Sequence, residues 1–193
     1  VYQPIIDSSS GQLKSVEALI RWQHPQRGLV SPVDFIPFAE RTGQVVAIGQ
    51  WVLRQVCQDI VAWNQQYSAA LTVAVNLSPL QFRRVDFLLD LQQTLADTHL
   101  APELLKIEVT ETMLVAGVDR SLEILEAIRK LGVRVSVDDF GTGYSSLSYL
   151  RTLPIDEIKL DRGFIEHLPG NEKDAAIVSA IIFMAHKLGL QVV

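Results

Sequence analysis

VRVSVDDF, residues Val133 to Phe140, opens with alternating valines that suit a buried strand and then sets two carboxylates, Asp138 and Asp139, side by side ahead of Gly141 and Gly143. Adjacent carboxylates repel, and one of them tends to hold a proton unless a cation lies near. The pair therefore points to a cation at a strand end. Outward from this stretch, β-branched and aliphatic runs recur as YQPII (Tyr2 to Ile6), VEALIRW (Val16 to Trp22), LTVAVNLS (Leu71 to Ser78), LKIEVTE (Leu105 to Glu111), IDEIKLD (Ile155 to Asp161) and LQVV (Leu190 to Val193), and each reads as a strand.

Helical patterns separate most of these runs. Pro37 to Tyr67 reads as helical with a break at Gly43, followed by amphipathic stretches from Gln81 to His99, Asp119 to Lys130 and Glu172 to Leu188, the last stopped by Gly189. DSSSGQL, between the first two strands, is too short for a crossover helix and predicts an antiparallel hairpin. With no repeat, low-complexity tract or linker in 193 residues, the alternation predicts one α/β domain, either a (β/α)8 barrel or an open doubly wound sheet. The polar residues favour the barrel. Glu17, Asn76, Glu108, Asp138 with Asp139, and Lys159 with Asp161 all fall in the later halves of strands, and in a barrel the C-terminal strand ends converge on one mouth.

Composition narrows the ligand. A net charge of -5 without any Lys/Arg run gives no general attraction for a DNA or RNA polymer or for an anionic membrane. The longest apolar stretch, Ala175 to Leu190, carries His186 and Lys187 and reads as a core helix rather than a membrane span. Cys57 has no partner for a disulfide and sits in an apolar helical pattern, which fits a buried thiol in a reducing compartment and a cytoplasmic location, compatible with a membrane-anchored parent protein.

Carboxylates with one amide oxygen are the donors of hard cations, so Mg²⁺ or Mn²⁺ is expected in preference to Zn²⁺ or copper, and this many carboxylates would serve two ions. His24, His99, His167 and His186 form no metal-binding spacing. Several positions carry simpler readings alongside: Glu17 as a rim charge, Asn76 as the cap of the next helix, Glu111 as a surface charge, and Lys159 as an ion-pair partner of Asp161. Glu108 and Glu111 lie three apart, so on an ideal strand they face opposite sides and need different tasks. Asp138 and Asp139 would be split likewise unless the strand has ended by then, which the following glycines suggest. Lys159 is the one cation that the strand pattern delivers into the acidic mouth, and Arg21, four residues after Glu17, offers a planar fork for phosphate from the same strand face.

VEALIRWQHPQRGLVSPVDFIPFAE (Val16 to Glu40), NLSPLQF (Asn76 to Phe82), EVTET (Glu108 to Thr112), DDFGTGYSSLSYL (Asp138 to Leu150) and IKLDRGFI (Ile158 to Ile165) together resemble the EAL-domain family of cyclic di-GMP phosphodiesterases. The resemblance implies a TIM-like (β/α)8 barrel with an antiparallel first strand, and hydrolysis of cyclic di-GMP to linear pGpG by a water activated by two Mg²⁺ or Mn²⁺ ions. It implies Glu17, Asn76, Glu108, Asp138, Asp139 and Asp161 as metal ligands, Lys159 as the group that orients the attacking water, and Glu111 as the support of the loop after Asp139. That Gly/Ser loop would report occupancy of the site. Arg21 would hold the ligand's phosphate, Gln3 and Leu19 would line the dinucleotide groove, and Trp22, His24 and Pro25 would support the loop. A homodimer and attached GGDEF or sensory domains are further expectations. An AEGVE-like strand end and a Gln-Gly element should follow LGLQVV, so residues 1–193 are expected to be an EAL domain without its last strand or strands, cut from a larger protein. Two other readings stay open: an EAL module that binds cyclic di-GMP or a protein without catalysis, and a metal-dependent lyase or aldolase with Lys159 as Schiff-base nucleophile.

Overall fold

The computed structural model describes residues 1–193 except 116 and 143–149, so the Gly143 end of the loop after Asp139 lies outside the described residues. The strands are β1 (Tyr2–Ile6), β2 (Leu13–Ala18), β3 (Trp22–His24), β4 (Gly28–Val30), β5 (Thr72–Asn76), β6 (Leu105–Thr110), β7 (Arg134–Phe140), β8 (Glu157–Leu160) and β9 (Gln191–Val192). One seven-stranded sheet has the order β1-β2-β5-β6-β7-β8-β9, and β3 with β4 forms a separate antiparallel pair. Each new strand of the large sheet is added on the same side as the last. That is the order of a singly wound, TIM-like α/β fold and not of a doubly wound sheet, whose order reverses at a switch point. By contacts the chain divides into two compact units, Val1–Ile107 with Leu131–Val133, and Glu108–Lys130 with Arg134–Val193.

In the first unit β1 and β2 pair antiparallel, as the short DSSSGQL connection requires. Asp7 ties that turn, its Oδ1 accepting from the hydroxyls and amides of Ser9 and Ser10, and these donors hold its carboxyl well below the usual range. From β2 the chain runs through α1 (Pro32–Arg41) and α2 (Val45–Tyr67) to β5, which pairs with β2 in parallel. Gly43, at φ +76°, turns the chain between the two helices. In α2 the buried residues Leu53, Val56, Cys57 and Ile60 recur at the helical period, the stripe that faces a core. Gln81 to His99 reads as one helical stretch in sequence, but the structure divides it into α3 (Pro79–Phe82) and α4 (Phe87–Thr98). Ser78 and Gln81 close a capping box at the start of α3, which spends Gln81 on that short turn.

VEALIRW also departs from a single strand. Ala18 is the last residue of β2 registered with β5, opposite Val75. Leu19 instead exchanges two hydrogen bonds with Val1, donating to Val1 O at 2.9 Å and accepting from the Val1 amine at 3.0 Å. Arg21 is consequently off the Glu17 strand, and Trp22 begins β3.

In the second unit α5 (Glu111–Val115) and α6 (Val118–Lys130) follow β6, and α7 (Arg162–Ile165) and α8 (Glu172–Lys187) connect β8 to β9, which run parallel. Ser121, Ile124, Leu125 and Ile128 form the buried stripe of α6. Asn171 caps α8 by accepting from the amides of Lys173 and Asp174, and Gly189, at φ +76°, ends it. Among the described residues no helix is long and apolar enough to cross a membrane.

Two predictions test this packing. Gly49 lies inside α2, where alanine would ordinarily gain up to about 1 kcal/mol of helix propensity. A β-carbon there would lie 1.9 Å from Gln81 Nε2, against a side chain fastened in the capping box. Gly49→Ala is therefore expected to destabilise by about 1–3 kcal/mol in urea denaturation, and to become neutral or stabilising in a Gln81→Ala background. Burial pushes the Cys57 thiol up to about 11. Because the raised value keeps the thiol protonated, iodoacetamide at pH 8 should leave Cys57 unlabelled in the native chain and label it fully in denaturant.

Candidate metal centre

In the first unit the register sets Gln3 opposite Glu17 across the β1–β2 pair, and Glu17 opposite Ala74 on β5. Asn76, two residues beyond Ala74, projects to the same face as Glu17 would meet there, and its Nδ2 donates to Glu17 Oε1 at 2.8 Å. The capping alternative for Asn76 is not what the structure shows, since Ser78 accepts from Gln81 N and does that work. Gln3, Glu17 and Asn76 thus form one group at the end of the β2–β5 pair. Arg21 is exposed beyond the strand, with Nη1 donating to Ile20 O at 2.7 Å.

In the second unit Lys159 of β8 bridges two carboxylates. Its Nζ lies 2.9 Å from Glu108 Oε2 on β6 and 3.3 Å from Asp138 Oδ2 on β7, and a carboxylate oxygen of Glu108 and one of Asp138 stand within 4.8 Å of each other. The Glu108 side chain has 0% exposure and Lys159 13%, so this pairing is shielded from water. Lys159 is thus paired with Glu108 and Asp138, where the sequence offered Asp161 as its partner. Glu108 and Asp138 are an acidic pair able to hold a hard cation through oxygen, the donor chemistry of Mg²⁺, Mn²⁺ or Ca²⁺.

Glu111 is not a strand residue. β6 ends at Thr110 and Glu111 opens α5, buried, with Oε2 accepting from Gly141 N at 3.0 Å. The surface-charge reading gives way to the supporting one, and the strand-face argument about Glu108 and Glu111 is replaced by a change of element.

Asp138 and Asp139 depart from expectation in an informative way. The strand does not end before them: β7 runs through to Phe140. Val137 pairs with Ile158 and Phe140 with Leu160, so three steps on β7 match two on β8, which is a β-bulge. Asp139 takes φ +52°, a conformation that Asp adopts more readily than bulkier residues. The extra residue cancels strict alternation, and Asp139 N donates to Asp138 Oδ1 at 2.9 Å. Phe140 was the available signal, because an apolar residue after two acids argues for a strand that continues and buries one more side chain.

Asp161 lies past the end of β8 and therefore does not share a strand face with Lys159. It is the N-cap of α7, with Oδ1 accepting from Gly163 N at 2.8 Å.

The whole of residues 1–193 matches the EAL domain family, and the chain belongs to it. It is 46% identical over 192 residues, all of this chain and 28% of the relative, to the bifunctional diguanylate cyclase/cyclic di-GMP phosphodiesterase MucR of Pseudomonas aeruginosa. It is 43% identical over 192 residues, again all of this chain and 24% of the relative, to the cyclic di-GMP phosphodiesterase NbdA of the same species. The solved PaMucR phosphodiesterase in complex with c-di-GMP superposes with a TM-score of 0.95 at 46% identity, covering 99% of this chain and 77% of that one. The chain thus spans about a quarter of the length of these curated relatives.

Glu111→Ala removes the acceptor of a part-buried backbone amide, an omission that costs about 1–3 kcal/mol. Hydrogen exchange should show Gly141 N–H losing protection in this variant while the amides of α2 keep theirs; unchanged protection at Gly141 would contradict the assigned role.

Proposed function

We propose that this chain hydrolyses cyclic di-GMP to linear pGpG with the help of two divalent ions, Mg²⁺ or Mn²⁺. The observation that carries the reading is the shielded Glu108–Lys159–Asp138 group at the C-terminal ends of β6, β7 and β8. Two carboxylates share one ammonium there, and their oxygens are the donors that a hard cation takes. Asp139 and Asp161 are further oxygen donors of the second unit, and Glu17 and Asn76, joined at the end of the β2–β5 pair, are those of the first. When bound, such ions lower the pKa of water into the neutral range and neutralise the phosphate. The oxygen-only donor set suits them.

The chain's own residues have separable tasks. Lys159, held by Glu108 and Asp138, is the group that would orient a nucleophilic water and offset the charge of the hydroxide that forms from it. The same pairing stabilises the ammonium, which argues against a neutral Schiff-base amine. Arg21, released from β2, can swing its fork to a phosphate, while Gln3 and Leu19 border the Glu17 end of the sheet and line the groove for the dinucleotide. Glu111 holds Gly141 and so steadies the carboxylates before it. The relatives named as phosphodiesterases and the c-di-GMP complex of MucR support the substrate. Attached cyclase or sensory domains, a homodimer and a cytoplasmic location belong to the same proposal.

The test is cyclic di-GMP turnover and binding by the parent protein with Mn²⁺ or Mg²⁺, alongside Glu17→Ala and Glu108→Ala. Loss of a ligand should remove about 4 kcal/mol of transition-state stabilisation, roughly a thousandfold in rate, with binding of the nucleotide retained. Binding without turnover in the unsubstituted protein would instead identify a receptor.

A further inference from the structure

Phe164 stands outside the ligand set, yet its ring covers the backbone that follows the bulge. A β-carbon built at Gly141 would meet Phe164 Cε2 at 2.6 Å and Cζ at 2.9 Å, so the ring occupies the space a side chain would take. Gly141 also has φ +99°, a conformation that other residues rarely adopt. Its amide is taken by Glu111 Oε2, which leaves this peptide between a carboxylate and an aromatic ring.

Phe164 is itself anchored to the other candidate ligand. Its amide donates to Asp161 O at 3.1 Å, and Asp161 N reaches back to Phe140 O at 3.4 Å. Gly163 permits this turn, since a β-carbon there would fall 2.8 Å from Asp161 Oδ1, the capping oxygen. The segments Phe140–Gly141 and Asp161–Phe164 therefore grip one another, with Asp138 and Asp139 at the end of one and Asp161 at the start of the other.

We propose that Phe164 is a positioning residue for the metal centre: seated on Gly141, it sets the bulged Asp138–Asp139 peptide and, through its own turn, Asp161. The inference rests on the function proposed above and deepens it. A bulge containing a non-glycine residue at positive φ persists only where its surroundings hold it. Remove the ring, and glycine is the residue freest to relax, carrying the carboxylates before it away from productive geometry.

The experiment measures Mn²⁺ affinity by calorimetry and cyclic di-GMP turnover at saturating Mn²⁺ in the parent protein, with Phe164→Ala, Phe164→Leu and, as reference, Glu108→Ala. Phe164→Ala is expected to weaken Mn²⁺ binding about 10–100-fold, the usual cost of losing a support behind a ligand, and to lower kcat at saturating metal while KM for the nucleotide stays put. Phe164→Leu, which keeps apolar bulk on Gly141, should fall between. A Phe164→Ala protein that melts earlier but binds Mn²⁺ and turns over like the unsubstituted one overturns the proposal. If Phe164→Ala does not fold, Phe164→Leu decides: weakened Mn²⁺ binding supports the role and unchanged binding refutes it. Glu108→Ala separates the two levels. Should it bind Mn²⁺ normally, the metal reading fails; should it lose Mn²⁺ while both Phe164 variants retain it, only the role of Phe164 fails.

Discussion

A buried carboxylate needs a partner, and the pairing of Glu108 with Lys159 is the constraint around which this molecule is arranged. Taking an ion out of water costs several kcal/mol, recovered only when an opposite charge is held in good geometry. Glu108, with no side-chain exposure, has that partner at 2.9 Å, and the same ammonium reaches Asp138 at 3.3 Å. Three successive strands must end at matching heights for this to happen, which is what a parallel sheet delivers.

Around that pairing, the chain spends local irregularities on aiming oxygen atoms. The bulge in β7 lets adjacent aspartates escape the alternation of a regular strand. Glu111 becomes useful because β6 gives way to a helix at its position, which turns its carboxylate toward Gly141. Asn76 is released for Glu17 because Ser78 takes over the capping of the next helix.

Much of the site could be read in the residues themselves. Glu17, Asn76, Glu108, Asp138 and Lys159 stood out because polar side chains at the ends of apolar strands are costly without a use, and each lies at or near a strand end. Arg21 and Asp161 were assigned to strands that stop short of them. The reason is that apolar content continues past the last ladder hydrogen bond: Leu19 pairs with Val1 instead of with β5, and Asp161 turns to cap α7. Gly141 reads in sequence only as a turn and Phe164 only as an apolar residue of IKLDRGFI, since their importance is a contact between two segments.

Strand periodicity, the hairpin, the alternation of strands with helices, and the oxygen-rich donor set were determined by the sequence alone, because they depend on side-chain type and local spacing. Which carboxylate faces which amine, the bulge that brings two neighbouring aspartates out of alternation, and the contact of Phe164 with Gly141 were decided only by the tertiary structure. Those features depend on register between strands distant in the chain, and register is settled by packing and by pairing of buried charge, which no local pattern encodes.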